Sequence, residues 1–115
     1  MAKFTFIFHG GAFVTPGLSP TEMQEHLNKW HAWVATFMKA GRHHVSQPLE
    51  NRGKIVRGAE RIITDGPFAE SKDLVTGSLT IEAASLDEAA VLARDCPIYE
   101  FDGFVEVRPI LELER

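Results

Sequence analysis

Phe4, Phe6 and Phe8 alternate with Thr5 and Ile7, a period of two that predicts a strand at the start of the chain. His9-Gly10-Gly11-Ala12-Phe13-Val14-Thr15-Pro16-Gly17 breaks the pattern and predicts a loop. The period then changes. Ser19, Pro20 and Glu22 form a helix-start signature, Ser-x-x-Glu with proline at the first helical position. At 100° per residue, Met23, Leu27, Trp30, Val34 and Phe37 fall within about 80° of one another, so a helix is expected to about Ala40, stopping at Gly41. His26 and Trp33 flank this stripe on one side, His31 and Met38 on the other. Trp33 and Met38 make the stripe wide, which predicts that the helix meets its own sheet and something further.

Residues 42–51 show no period and are read as a connection. Residues 54–56 and 60–63 (Lys-Ile-Val and Glu-Arg-Ile-Ile) read as one strand interrupted near Gly58. Alternation returns over residues 76–83, with Leu79, Ile81 and Ala83 on one face. Ser85 and Glu88 predict a second capping box, opening an alanine-rich helix that ends near Asp95 before Cys96-Pro97. Residues 103–113 form the last predicted strand. Pro109 cannot donate to a ladder, so this strand is expected at a sheet edge or at a bulge. The order is βαββαβ, an α+β, ferredoxin-like pattern: a four-stranded antiparallel sheet with two helices on one face. Residues 1–115 are read as a single domain. The helices leave the second sheet face bare, and a second copy of the chain is its simplest cover, so a homodimer is expected.

Composition narrows the partners. Sixteen acidic residues against twelve basic give −4, with the basic residues scattered, which argues against nucleic acid. No apolar run reaches membrane-spanning length, and Met-Ala-Lys-Phe-Thr-Phe reads directly as a strand, without a signal-peptide core. The lone Cys96 excludes an internal disulfide, is expected to be a partly buried, inert thiol, and suits a cytoplasmic location.

Candidate chemistry begins at Asp65. An apolar run ends there, and Gly66-Pro67 imposes a stiff turn. A carboxylate so held suits a general base or an anion-repelling gate; the commoner role for such an Asp is bonding to backbone N–H groups in the turn. His26, at the edge of the helical stripe beside Trp30, is read either as a general acid/base with Asp65 as its carboxylate, or as an edge histidine that packs its ring. His31 is expected in solvent or at a dimer contact. His43 and His44 point to opposite faces if extended, and no ligand spacing indicates a metal. His9-Gly10-Gly11 lacks phosphate-loop spacing; its glycines are read as a plain turn or as a close approach for a ligand. Arg108 either binds a substrate carboxylate or pairs with Glu106 of a neighbouring strand or chain. Trp30, Trp33 and Phe37 are read as core, with a flat organic ligand as the alternative.

The string Thr64-Asp65-Gly66-Pro67-Phe68-Ala69-Glu70-Ser71-Lys72 resembles the signature of the DGPF-motif proteins of the YCII-related family. The resemblance continues through Gly77, Ser85-Leu86-Asp87-Glu88-Ala89, Cys96-Pro97 and Val105-Glu106-Val107-Arg108-Pro109-Ile110. It covers the last half of the chain closely and the first half loosely. It implies a dimeric α/β-barrel arrangement and a His–Asp pair for acid–base work, here His26 with Asp65. His9, Trp30, Phe68 and Arg108 are then the expected substrate contacts. The expected activity is cofactor-free, lyase- or isomerase-like proton movement on a small cyclic or aromatic metabolite. The alternative it leaves is a non-catalytic accessory module, of the kind encoded beside alternative sigma factors in bacteria.

Overall fold

The computed structural model describes residues 1–66 and 71–113. Six strands and two helices follow in order: β1 (Ala2–His9), α1 (Pro20–Lys39), β2 (His43–Pro48), β3 (Gly53–Arg57), β4 (Ile62–Gly66), β5 (Val75–Ala83), α2 (Leu86–Ala93) and β6 (Phe104–Pro109). Strands β2, β5, β1 and β6 form one antiparallel sheet in that spatial order. Counting only these four strands, the topology is the ferredoxin-like βαββαβ, with the β3–β4 hairpin inserted.

The pleat sorts the residues as the alternation predicts. Phe4, Phe6 and Phe8 pair with Ile81, Leu79 and Gly77, and on the other side with Pro109, Val107 and Val105. These positions share the face that both helices cover. Phe6 stacks on Trp33 at 5.7 Å, and Phe37 meets the edges of Phe6 and Trp33. Ala89 and Ala93 of α2 are small enough to bring that helix into the same core, and Trp33 Nε1 donates to Leu92 O at 3.3 Å, tying the two helices together. The opposite face carries Thr5, Ile7 and His9 facing Thr80, Ser78 and Val75, and beyond them Glu106, Arg108 and Phe104.

Both helix starts are built as their residues require. Ser19 Oγ accepts from Glu22 N and the Glu22 carboxylate accepts from Ser19 N, a closed capping box. At α2, Ser85 Oγ accepts from Glu88 N, but the Glu88 carboxylate reaches Ala84 N, one residue before the cap, and also takes Arg42. The Ala84 hydrogen bond, then Arg42, holds the Glu88 carboxyl below its usual range. The helix ends at Ala93, two residues before Asp95. Cys96 is buried, and burial pushes its thiol up to about 12.

Three expectations are corrected. The sheet's second strand is His43–Pro48, inside the supposed connection, and residues 54–63 are not one interrupted strand. Gly58 and Arg61, both at positive φ (84° and 55°), turn that stretch back into the β3–β4 hairpin, which pairs only with itself. The last strand ends at Pro109, at the sheet's edge, rather than continuing to Leu113. Among the described residues no helix is long and apolar enough to cross a membrane.

Candidate functional site

Helix α1 divides its wide apolar face between two tasks. His26, Trp33 and Phe37 are buried toward the core, with Trp30 packed against it. Leu27, His31, Val34 and Met38, one residue further round, line a cavity of about 460 Å³, a volume in the range of small-molecule sites. Its far wall is β2 and β5, through Ser46, Gln47, Pro48, Gly77 and Ser78. One end is closed by Gly10, Gly11, Ala12 and Phe13, and by Ile98.

That closing loop is fixed by the backbone. Gly10 and Gly11 take positive φ (72° and 90°), and Gly10 N donates to Leu74 O at 2.8 Å. The buried Thr76 hydroxyl donates to Gly10 O at 3.0 Å. A side chain at Gly10 would lie 3.1 Å from the Lys72 backbone. The two glycines therefore make the turn, and they border the cavity.

His26 is 3% exposed, buried rather than perched at an amphipathic edge. Its Nδ1 lies 3.0 Å from Glu100 Oε1, and its Nε2 accepts from Trp30 Nε1–H at 2.9 Å. An indole N–H only donates, so Nε2 presents its lone pair and the ring proton sits on Nδ1, donated to the carboxylate. Phe101 packs edge-on against the ring at 4.7 Å. The other oxygen of Glu100 accepts from Lys29 Nζ at 2.6 Å. Lys29, then His26, holds the Glu100 carboxyl below its usual range. This is a carboxylate–imidazole pair with a fixed tautomer, and both His26 and Trp30 line the cavity.

The expected partner of His26 is thus replaced. Asp65 lies in β4, on the hairpin outside the four-stranded sheet, with its side chain 82% exposed and ion-paired to Lys54. The carboxylate against His26 is Glu100, from the turn at Pro97–Phe101. The expected substrate contacts also separate. Trp30 stands at the cavity on the helix side of the sheet. His9 and Arg108 stand on the opposite, open face, where both meet Glu106, at 3.1 and 3.8 Å. His9 stacks on Phe104 with ring centres 4.4 Å apart, and its Nδ1 faces Asp73 O at 3.0 Å. Arg108 pairs with Glu106 of its own strand rather than across to a neighbouring strand or chain. Phe68 lies outside the described residues. His43 lies 3.4 Å from Ser46 Oγ and His44 3.9 Å from Glu82. Among the described residues no three His, Cys, Asp or Glu side chains converge as metal ligands would.

Sequence reasoning missed Glu100 and Lys29. Glu100 is separated from His26 by 74 positions, and its signal is slight: Cys96-Pro97 starts a one-turn helix that carries it. Lys29 offers a clearer hint, since a residue three positions after His26 shares its helix face.

Comparison with known proteins gives three findings. The model of the YCII-related domain matches residues 21–114. An uncharacterized protein of Rhizobium meliloti is 48% identical over 52 residues, a match spanning 44% of this chain and 42% of that protein's length. A solved structure of 5-chloro-2-hydroxyhydroquinone dehydrochlorinase from Burkholderia phenoliruptrix, in complex with 2,5-dihydroxybenzoquinone, aligns over 91% of this chain and 90% of that one. Its TM-score is 0.45 and its sequence identity 18%.

Proposed function

For this chain, which belongs to the YCII-related family, we propose a small-molecule function centred on the cavity beside His26. The protein binds a compact, largely apolar cyclic or aromatic molecule between α1 and the β2–β5 edge of the sheet. His26 transfers a proton to or from that molecule through Nε2, with Glu100 holding Nδ1–H and so fixing the tautomer. The chemistry is lyase- or isomerase-like. The observation that carries the reading is the coincidence of an apolar cavity of about 460 Å³ with a buried imidazole whose one nitrogen is tied to a carboxylate.

The test is a thermal-shift screen against small cyclic and aromatic molecules, with Val34→Trp alongside to fill the cavity. A ligand at a hundred times its dissociation constant stabilises the fold by about 2.7 kcal/mol. The proposal expects a shift that Val34→Trp abolishes. A shift that survives the filled cavity places the ligand elsewhere and defeats the proposal.

The string Asp65-Gly66-Pro67-Phe68 places the chain, in our reading, in the DGPF-motif subgroup. We also propose that it works as a homodimer. The β3–β4 hairpin leaves Val56 and Ile63 more than half exposed, and a two-stranded hairpin standing alone is marginal in water. The uncovered sheet face, with Ile7 and Phe104, supports the same reading. Sedimentation equilibrium at micromolar concentration tests it: a mass of 12.8 kDa, that of one chain, defeats it.

A further inference from the structure

Among the described residues, the polar groups that line the cavity are uncharged hydrogen-bonding groups and two imidazoles. Ser46 and Thr76 contribute hydroxyls and His26 and His31 the rings, while Gln47 and Ser78, paired with each other and turned to the opposite sheet face, border it through their backbone. The rest of the lining is carbon, from side chains such as Phe8, Val34 and Leu79. Glu100 and Lys29 satisfy each other behind His26 and are not lining residues. A carboxylate or ammonium brought into such a site loses its hydration and meets no permanent opposite charge among the described residues, which is unfavourable. An uncharged molecule meets no such penalty.

One lining atom discriminates further. Thr76 already donates its hydroxyl to Gly10 O, and His26 Nδ1 already serves Glu100. His26 Nε2 is an acceptor whose present donor, the Trp30 indole, belongs to another lining side chain. The indole is only partly buried and stands edge-on to Phe8 at 4.8 Å, and a hydroxyl at Nε2 requires it to turn away from His26. A ligand hydroxyl can take its place at Nε2 with no loss of hydrogen bonding at the ring.

We propose that the cavity selects an uncharged, largely apolar molecule carrying a hydroxyl, and that this hydroxyl replaces the Trp30 N–H as the donor to His26 Nε2. The proposal rests on the binding reading above and adds to it the charge and the anchoring group of the ligand. Arg108 then has no part in recognition, since it lies on the other side of the sheet.

Three probes of one shape test it at pH 7: 2-naphthol, naphthalene and naphthalene-2-carboxylate, titrated into the intact protein and read by the Trp30 indole N–H resonance and by dissociation constant. The expected order puts the carboxylate weakest, with naphthol and naphthalene within about tenfold of each other because the hydroxyl exchanges for the indole N–H at Nε2 rather than adding a hydrogen bond. Naphthol shifts the indole N–H as its bond to His26 breaks, whereas naphthalene leaves that bond in place. In His26→Phe, naphthol weakens relative to naphthalene, its hydroxyl having lost its acceptor. Carboxylate binding as tight as naphthol overturns the uncharged-ligand inference while leaving the cavity reading standing. An indole resonance that responds equally to naphthol and naphthalene overturns the hydroxyl anchor, and that readout needs no variant. If none of the three binds, the cavity reading fails and this inference fails with it.

Discussion

Replacing Glu100 by alanine isolates the contact on which the site depends. The change leaves His26 Nδ1–H, on a ring 3% exposed, without its acceptor. A buried donor left unpaired costs about 1–3 kcal/mol. The Glu100 side chain is itself 39% exposed, so water reaches the gap and the expected loss lies in the lower half of that range, about 1–2 kcal/mol. Lys29→Met removes only the exposed arm of the same carboxylate and should cost less than about 1 kcal/mol. Glu100→Gln keeps an acceptor oxygen and should fall between the two. Urea unfolding measures all three, with an unchanged denaturant slope confirming that stability alone has moved. The acid limb adds an internal check. The folded-state carboxyl lies below its usual value of 4.5, so its contribution is complete above that pH and is lost as pH falls through the folded value. The gap between wild type and Glu100→Gln should therefore narrow below about pH 4.5. If Glu100→Ala proves no worse than Lys29→Met, or the gap holds constant into acid, the Glu100–His26 bond is not what organises the site.

The remaining predictions concern the frame around the cavity. Cys96, with its thiol pushed up to about 12 by burial, should resist alkylation in the native protein at pH 8 and react once urea unfolds it; rapid native labelling would contradict the packing. Gly103→Ala would set a Cβ 2.5 Å from Ile98 and 2.8 Å from His9 O, a backbone clash that should cost about 1–3 kcal/mol in urea unfolding; a neutral result would show that this corner is looser than described. Phe6→Ala, at a fully buried ring against Trp33 and Phe37, should cost about 3–5 kcal/mol by the same measurement, and a loss under about 1 kcal/mol would mean the core lies elsewhere.

The parts of the fold legible in the sequence are those where burial imposes a period. The Phe4/Phe6/Phe8 alternation, the Ser19–Glu22 box and the edge position of Pro109 each follow from local chemistry that the tertiary structure does not override. Strand β2 was not legible. His43-His44-Val45-Ser46-Gln47-Pro48 is an edge strand, exposed for nearly its whole length, and nothing in its side chains records the pairing that its backbone makes with β5. The hairpin misled for the opposite reason: Ile62 and Ile63 look like core, yet both lie more than half exposed. At the site, His26 was legible from its place beside the helical stripe, and its burial was not. Asp65, at its stiff turn, is the conspicuous carboxylate of the sequence, but it lies on the hairpin outside the four-stranded sheet. Glu100 comes from a five-residue turn with no pattern of its own, held in place by Ile98, Phe101 and the glycines around them.

The most direct measurement is the nitrogen-15 spectrum of the His26 ring, recorded in the free protein and with 2-naphthol. The account predicts a protonated Nδ1 and an unprotonated Nε2 in the free protein, with Nε2 alone responding to the ligand and the response lost in Val34→Trp. A proton found on Nε2 in the free protein, or ring nitrogens indifferent to a ligand that binds, would contradict it.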